Sequence, residues 1–491
     1  MKQTVRTRFA PSPTGFPHLG NIRTALFAWL FARHHGGSFI VRIEDTDVAR
    51  RVEGAVESIL SSLRWLGLDW DEGPEVGGEY GPYFQSQRLD KYHEVAQQLI
   101  SQGNAYYCYC SPQRLEEMRA EQVKRKQPPG YDRHCRELSQ EERSRKEAEG
   151  ITPVVRFKTP LEGQTRFNDL IWGELVFENN TLDDFVMLKS DGYPTYHLAN
   201  IVDDHLMEIS HVIRAEEWLS SVPRHVLMYQ ALGFEPPNFA HLPMLLGADR
   251  SKLSKRHGAV SITEYYEQGY LPEAMVNFLA LLGWSLDGKT EILSRQELID
   301  NFALERVSRT AAIFNRDKLN WMNGLYIRSL TADEFFEAVE PYLMMDKAAG
   351  QAVISGEEYV RNILPLLQER ARTLAEVAEL AQFFFAEELD YAPDLLIGKN
   401  MNQESTSAAL KTAQQRLEQL KGFDAESLEA LLRPLAVELG LKTGQLFGAL
   451  RTAVTGRIAA PPLFQTMAVL GKERCLKRIE AALGRLDRVS R

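Results

Sequence analysis

The sequence predicts an α/β protein with an N-terminal parallel sheet, an inserted segment and an all-helical C-terminal region. Three observations predict this class. A strand–loop–helix–strand pattern fills about the first 45 residues, a polar but strand-containing segment separates it from a second β/α region, and apolar residues recur at helical spacing from about residue 326 onward. Because 491 residues exceed one ordinary hydrophobic core, we expect two to four domains.

Composition and charge narrow the functional class. The chain is 44% hydrophobic and 25% charged, with four cysteines, which is typical of a globular protein and not of a disulfide scaffold. No apolar run approaches the ~20 residues of a membrane span, and the N-terminus lacks the apolar core of a signal peptide. We therefore predict a cytoplasmic protein without membrane contact. A net charge of −10 argues against a general nucleic-acid coat, but local basic patches can still meet phosphates.

The first βαβ unit is read from residues 4–45. Residues 4–10 (TVRTRFA) predict a strand, and SFIVRIED from Ser38 predicts the next one. Between them, one apolar helix face is formed by Ile22, Ala25, Leu26, Trp29 and Leu30. Since ligands of parallel sheets bind beyond the carboxyl ends of strands, the loop after the first strand is a candidate ligand site.

That loop is PSPTGFPHLGN, from Pro11 to Asn21. Gly15 and Gly20 have P-loop spacing, but Asn21-Ile22 replaces the Lys-Ser/Thr pair, and no G-x-G-x-x-G is present. Prolines fix the approach to a helix N-terminus, where free backbone N–H groups favour an anion. We predict Asn21 as the helix cap and His18 as a donor to the anion. A proline-rich turn with a surface histidine is the alternative.

A second candidate loop reads GADRSKLSKRHG, from Gly247 to Gly258. Lys252, Lys255 and Arg256 lie between serines and glycines, which predicts a flexible basic loop. A solvated run of charge is the more general explanation. Together, a rigid histidine loop and a mobile lysine loop are suited to hold phosphates from two sides.

The rest of the chain supplies the insertion and the helices. Residues 100–200 combine basic, polar stretches with strand-like runs such as TPVVRFKTP and GELVFEN, and residues 195–260 return to β/α patterning. In RTLAEVAELAQFFF, one helix face is formed by Leu374, Val377, Ala378, Ala381 and Phe384. We expect the last third of the chain to be helical.

These motifs carry a family resemblance. PSPTGFPHLGN resembles the HIGH signature of class I aminoacyl-tRNA synthetases, and KLSKR resembles their KMSKS loop. RFAPSPTG, RIEDTD, YPTYHLANIVDDHLM and VIRAEEWL together resemble the bacterial glutamyl-tRNA synthetases, and the likeness extends to TGRIAAPPLF near the C-terminus. Asn21 stands for the second histidine of HIGH, and Leu253 and Arg256 replace methionine and serine of KMSKS, whereas Lys255 is kept.

The resemblance implies a Rossmann-like catalytic domain with an inserted acceptor-binding domain and an all-helical anticodon-binding domain. The expected boundaries are 1–105 for the first half of the catalytic domain, 106–194 for the insertion, 195–325 for the second half with the stem-contact region, and 326–491 for the helical domain.

The implied reaction is ATP-dependent ligation of L-glutamate to tRNA-Glu through a glutamyl-adenylate, with Mg²⁺ at the phosphates. His18 and Lys255 are the implied catalytic residues. The implied ATP-binding residues are Pro11, Ser12, Thr14, Gly15, His18, Gly20, Asn21, Lys252, Leu253, Ser254, Lys255 and Arg256. The implied glutamate-binding residues are Arg8, Ala10, Ser12, Glu44, Tyr196 and Arg214, of which Arg8 and Arg214 suit carboxylates and Glu44 suits the ammonium group.

The cysteines resemble the zinc site of some glutamyl-tRNA synthetases, C-x-C-x₂₄-C. Cys108, Cys110 and Cys135 would be ligands, and either Tyr131 or Glu137 would be the fourth. Three free thiols are the alternative. Cys475 is expected to be buried in a helix.

Several alternatives stay open at this stage. The protein could be non-discriminating and also charge tRNA-Gln, or be a non-catalytic tRNA-binding descendant of a synthetase. A glutaminyl-tRNA synthetase is disfavoured because the C-terminal region is helical. The short glutamyl-queuosine-type paralogue is disfavoured because this chain has such a C-terminal region at all. Arg361 or Arg372 is a guess for the anticodon reader, and the basic C-terminal segment could contact phosphate or be an ordinary solvated helix. A monomer is expected.

Overall fold

A computed structural model describes residues 4–253 and 261–489 of the chain. The chain divides into two compact units. The first comprises Met1–Glu264 and Met275–Asn315, and the second comprises Tyr265–Ala274 and Arg316–Arg491.

The secondary structure alternates strands and helices at first and is helical later. The strands are β1 (Arg6–Phe9), β2 (Ser38–Val41), β3 (Ala105–Cys108), β4 (Val154–Phe157), β5 (Gln164–Asp169), β6 (Gly173–Glu178), β7 (Val186–Leu188), β8 (His211–Ala215), β9 (Asn238–Leu242), β10 (Leu245–Leu246) and β11 (Ala312–Ile313). The helices are α1 (Leu19–His34), α2 (Ala55–Trp65), α3 (Leu89–Ser101), α4 (Pro112–Lys124), α5 (Gln140–Ala148), α6 (Tyr196–Leu206), α7 (Val222–Leu232), α8 (Ile262–Glu267), α9 (Pro272–Ala280), α10 (Arg295–Asn301), α11 (Arg316–Ser329), α12 (Ala332–Met345), α13 (Lys347–Gln368), α14 (Leu374–Phe385), α15 (Gln403–Gln419), α16 (Ala425–Glu438), α17 (Thr443–Thr455), α18 (Leu463–Leu470) and α19 (Lys472–Val489).

The first unit is built on a six-stranded sheet with the order β2-β1-β8-β9-β5-β6. The pairs β2–β1, β1–β8, β8–β9 and β9–β5 are parallel, and β6 runs antiparallel at the edge. The strand order reverses at β1, since β2 lies on one side of it and β8 on the other. The carboxyl ends of these strands therefore frame the crevice where such sheets bind ligands. The predicted βαβ unit and its parallel sheet are confirmed.

Helix α1 fixes the position of the loop that directly precedes it. Its side chains are buried almost all round, including Ile22, Leu26 and Leu30, so the helix is held in the core of the first unit. The N-cap is His18, and Asn21 is the third helical residue. The prediction of Asn21 as the cap is therefore wrong. The histidine ring reaches the first-turn amides, and the Asn21 side chain instead accepts from the His18 backbone N–H.

The segment between β3 and β7 contributes to two sheets. Strands β3, β4 and β7 form a small antiparallel sheet of their own. The β5–β6 hairpin lies inside the segment expected as an insertion, residues 106–194, yet β5 pairs with β9 and so extends the main sheet.

The second unit is helical and has its own core. Phe335, Val360, Phe384, Leu410 and Leu450 are buried in one hydrophobic cluster that joins α12 through α19. The predicted face of α14 is confirmed at Leu374, Val377, Ala381 and Phe384, which are all buried. The uninterrupted helical part of this unit begins with α11 at Arg316, ten residues before the boundary expected at 326.

The basic C-terminal helix α19 packs inward. Arg478 is 3% exposed and donates to the carbonyls of Val454, Phe383 and Ala386. Lys472 and Arg474 also donate to backbone carbonyls of neighbouring segments. Arg478 thus serves packing within the unit, whereas Lys477 and Arg488 on the same helix are exposed. Cys475 on the same helix is buried, as expected. Across the described ranges, none of the helices is both long enough and apolar enough to cross a bilayer.

Candidate active site

A cleft of about 840 Å³ opens at the carboxyl ends of β1, β2 and β8. The loop after β1, the segment after β2, the start of α6 and the segment after β8 form its walls. A volume of this size falls in the upper range of sites for small ligands and cofactors.

The cleft brings together residues from five separated sequence motifs. The predicted residues that line it are Arg8, Ala10, Pro11, Ser12, Thr14, Gly15, His18, Gly20, Asn21, Glu44, Tyr196, Arg214, Lys252 and Leu253. Ser254, Lys255 and Arg256 lie outside the described residues.

His18 is oriented by the helix that it caps. Its Nδ1 accepts hydrogen bonds from the N–H groups of Gly20 and Asn21, at 3.1 and 3.4 Å. Because Nδ1 accepts, the proton of the neutral ring is on Nε2, which is then free to donate. Desolvation in the cleft wall lowers the pKa of His18, so the neutral form prevails at pH 7. A Cβ at Gly20 would lie 3.0 Å from His18 Cε1, which explains the glycine at that position.

Lys252 stands at the rim of the cleft. Its Nζ lies 2.9 Å from Glu217 Oε2, and the two side chains are 69% and 51% exposed. An exposed pair of this kind contributes little energy, so Lys252 can exchange Glu217 for a phosphate at small cost.

A buried ionic cluster forms the floor of the cleft. Arg8 binds Asp204 through Nε–Oδ1 and Nη2–Oδ2 contacts of 3.0 and 3.2 Å. Arg42 bridges Asp204 and Glu44, at 2.8 and 3.2 Å. Burial raises the pKa of Glu44 to about 7, against the opposing effect of Arg42 and Arg8. Glu44 is therefore a carboxylate whose charge is easily changed by a cation placed beside it.

Arg214 is a buried guanidinium surrounded by neutral groups. It donates from Nη1 to Tyr196 Oη at 2.6 Å and from Nε to His241 Nε2 at 3.0 Å, and Nη2 lies 3.4 Å from His225 Nδ1. Within residues 4–253 and 261–489, no carboxylate forms an ion pair with it. A cation that is 5% exposed, lines the cleft and has no anionic partner among these residues is suited to a carboxylate of the ligand.

Sequence reasoning missed some of the cleft residues. Asn200 lines the cleft at 2% exposure, and among the described residues its Nδ2 has no hydrogen-bond partner. Its spacing of four residues from Tyr196 on α6, one helical turn, is the signal that could have found it. Asp204, which lies beneath the cleft and does not line it, was missed because its contacts with Arg8 and Arg42 join α6 to segments that are far away in sequence.

The three cysteines converge in the small sheet region. The Sγ atoms of Cys108, Cys110 and Cys135 all lie within 4.8 Å of one another, and Tyr131 Oη lies 3.3 and 3.5 Å from the first two. A tetrahedral zinc with bonds of about 2.3 Å to sulfur requires donor atoms at about these separations, so the donor set fits the metal. Glu137 is 79% exposed and pairs with Lys158, and it is not part of this group.

Sequence comparison identifies the class. Residues 4–321 match the profile of the catalytic domain of class I tRNA synthetases (E and Q), and residues 334–483 match an anticodon binding domain. The chain is thus a class I aminoacyl-tRNA synthetase, with the predicted α/β catalytic part and helical C-terminal part.

Individual relatives identify the member of that class. A glutamate–tRNA ligase of Dehalococcoides mccartyi is 60% identical over 487 residues, which cover 99% of each chain. One from Moorella thermoacetica is 49% identical, covering 97% of this chain and 98% of the relative. The crystal structure of a glutamate tRNA ligase from Elizabethkingia meningosepticum, in complex with its amino acid, has a TM-score of 0.86 at 37% identity and covers 98% and 99% of the two chains. The chain belongs to the glutamate–tRNA ligase family.

Proposed function

We propose that this chain attaches L-glutamate to tRNA-Glu, using ATP, through a glutamyl-adenylate formed in the cleft. The observation that carries the proposal is the pairing of the His18 loop with two buried arginines, Arg8 and Arg214, in one cleft. The name shared by the full-length relatives supports it.

The first step joins glutamate to the nucleotide. A glutamate α-carboxylate oxygen attacks the α-phosphorus of ATP, and pyrophosphate leaves. His18 donates its Nε2–H to a phosphate oxygen as charge develops there, and Lys252 adds positive charge at the rim. Lys255 has the same function by resemblance. Mg²⁺, when bound with the nucleotide, would supply further positive charge at the phosphates.

Glutamate is held by charged and polar residues of the cleft. Arg214 binds the side-chain carboxylate, Glu44 binds the ammonium group, and Arg8 stabilises the charge around both. Asn200 contributes an amide N–H to a substrate oxygen. In the second step, the terminal adenosine hydroxyl of the tRNA attacks the carbonyl carbon of the mixed anhydride, and AMP leaves. Both steps depend on orientation and charge, which explains why the cleft needs no nucleophilic side chain.

Glutamate-dependent exchange of labelled pyrophosphate into ATP, measured with and without tRNA, tests this proposal. Exchange is expected. Tight binding of tRNA without any exchange or charging would favour the non-catalytic alternative. Parallel charging of purified tRNA-Gln determines whether the enzyme discriminates between the two tRNAs.

A structural zinc ion belongs to the same proposal. Cys108, Cys110 and Cys135 would hold it as thiolates, with Tyr131 Oη as the nearest fourth donor. The ion would cross-link β3 to the segment around Cys135 and carry no chemistry of the reaction.

We expect about one zinc per chain in freshly purified protein by elemental analysis. Cys135→Ser should lose the metal and lower the melting temperature, whereas Cys475→Ser, on another unit, should keep the metal. A metal-free wild-type protein would contradict the zinc site. A cytoplasmic location and a monomeric state stay predictions.

A further inference from the structure

Three neighbouring strands of the main sheet place an acid, a histidine and an arginine in a row. In the β8–β9 register, Arg214 lies directly opposite His241. In the β5–β9 register, Asp169 pairs with Phe239, two residues before His241 and on the same face. The side chains of Asp169 and His241 are 1% and 0% exposed.

The hydrogen bonds along this row run in one direction. Arginine has donors only, so His241 Nε2 must accept from Arg214 Nε, at 3.0 Å. The proton of the neutral imidazole is then on Nδ1, which donates to Asp169 Oδ2 at 2.6 Å. Asp169 Oδ1 in turn accepts the backbone N–H groups of Ile171 and Trp172, at 2.9 and 3.0 Å. Each donor in the row therefore has an acceptor. Only the tautomer of His241 with its proton on Nδ1 allows all of these hydrogen bonds.

The surroundings of His241 keep its imidazole ring neutral. Burial lowers the pKa of His241 to about 4, in spite of the hydrogen bond to Asp169. A neutral acceptor holds Arg214 without neutralising it, whereas a carboxylate in the same place would compensate the charge that the substrate needs.

We propose that Asp169 and His241 are positioning residues that fix the orientation of Arg214 toward the side-chain carboxylate of glutamate and thereby determine its selection over glutamine. The inference rests on the proposed function of Arg214. Neither Asp169 nor His241 lines the cleft, so both act through the arginine.

Asp169→Asn is the direct test, because it changes hydrogen-bond direction with little change in size. If the new carbonyl oxygen keeps the backbone N–H groups of Ile171 and Trp172, the amide N–H₂ faces His241 Nδ1. That nitrogen must then accept, its proton moves to Nε2, and two donors meet at Arg214. A reversed tautomer of this kind is strongly damaging in an acid–histidine pair of a hydrolase.

The expected result is a split between kinetic constants in the tRNA-charging assay. In Asp169→Asn, the KM for glutamate rises at least about tenfold, while kcat and the KM for ATP stay within about threefold. Discrimination between glutamate and glutamine falls by a similar factor. His241→Phe should behave alike, and His241→Gln, which offers an acceptor oxygen near the position of Nε2, should recover part of the affinity for glutamate.

His211→Gln is the matched control. His211 is on β8, three residues before Arg214, and contacts Ser210 outside the row. The kinetic constants of the His211→Gln variant should equal those of the wild type.

Two results would overturn the proposal: an unchanged KM for glutamate in folded Asp169→Asn, or equal changes in both KM values and kcat together with a lower melting temperature, which a purely structural role predicts. If Asp169→Asn does not fold, the comparison of His241→Phe with His241→Gln decides in the same way. A wild-type protein that charges no tRNA with glutamate would instead contradict the proposed function itself.

Discussion

The ring of His18 has a structural role as the cap of α1, and we propose a chemical role for it as well. Nδ1 caps α1, which fixes both the tautomer and the orientation, and Nε2–H is left for a ligand of the cleft. The prolines and Gly20 of the loop restrict the backbone so that this arrangement is kept before any substrate binds.

The two roles of His18 can be separated by substitution. His18→Ala removes the cap and the donor, so we expect a loss of about 1 kcal/mol in stability and about 10²-fold or more in glutamate-dependent exchange. His18→Asn retains a side chain suited to the N-cap but lacks Nε2. Its melting temperature should stay near that of the wild type while its exchange rate falls as in His18→Ala. Full activity in either variant would show that the ring is not the donor.

We expect Glu44 to give the proposed reaction a pH dependence. Because burial raises its pKa to about 7, lowering the pH below 7 protonates the carboxylate that meets the substrate ammonium. The KM for glutamate should therefore rise as pH falls, by up to tenfold per unit below the apparent pKa, and be lowest above pH 7. Steady-state charging between pH 6 and 8.5 measures this. Glu44→Gln should have a high KM that no longer changes with pH, and a flat wild-type profile would contradict the role.

At the scale of elements, α19 holds the helical unit together through its buried arginine. Arg478 donates to Val454 O near the end of α17 and to Phe383 O and Ala386 O at the end of α14, each at 2.7 Å. Carbonyls at helix C-termini lack partners within their own helices, so a cation there satisfies them and interacts favourably with the helix dipoles.

Arg478→Met should destabilise the protein by about 3 kcal/mol, since buried carbonyls lose a charged donor. Urea unfolding of the full chain measures this change. Arg488→Met, on an exposed turn of the same helix, is the control and should change the free energy of unfolding by less than about 0.5 kcal/mol. Equal effects of the two substitutions would contradict the account of α19.

A tRNA ligase must also recognise its tRNA, and we propose for this contact a cavity of the second unit whose lining contains three arginines and one acidic residue, Asp317. A cavity of about 380 Å³ is lined by Arg328, Arg370, Arg372 and Trp321, the last of which is 45% exposed. Arg361, the other residue guessed from the sequence, is instead paired with Asp333 and Glu357. Cations beside an exposed aromatic ring are suited to a nucleotide, through phosphate contact and stacking.

We therefore expect Arg372→Ala to raise the KM for tRNA about tenfold or more without changing the KM for glutamate or ATP. Arg361→Ala is the matched control, with a KM for tRNA within twofold of the wild type. The charging assay at varied tRNA concentration separates them. The reverse order of effects would assign the tRNA contact to Arg361.

Local patterns predicted the parts of this molecule that depend on neighbours in sequence. The βαβ unit and the helical last third follow from patterns that are continuous in the chain, and the residues expected in the cleft follow from the family resemblance of short continuous motifs. The cap at His18 was missed because histidine is an unusual cap, whereas asparagine is a common one. The row of Asp169, His241 and Arg214 could not be predicted, because only the pairing of β5, β9 and β8 brings these residues together.

The burial of a basic residue of α19 also could not be predicted from the sequence. A run of positive charge suggested either solvent or nucleic acid, yet Arg478 binds carbonyls of helices that lie far away in sequence. Charge alone does not distinguish an inward-facing arginine from an outward-facing one, since that depends on which helix ends are packed nearby.

The central claim is that the cleft selects glutamate and transfers it to tRNA-Glu. Its most direct test is the charging of purified tRNA-Glu with radiolabelled glutamate in the presence of ATP and Mg²⁺, with glutamine as the competing amino acid. We predict stable glutamyl-tRNA that requires ATP, and little or no glutaminyl-tRNA. Failure to charge tRNA-Glu with glutamate, or a preference for glutamine, would contradict the account.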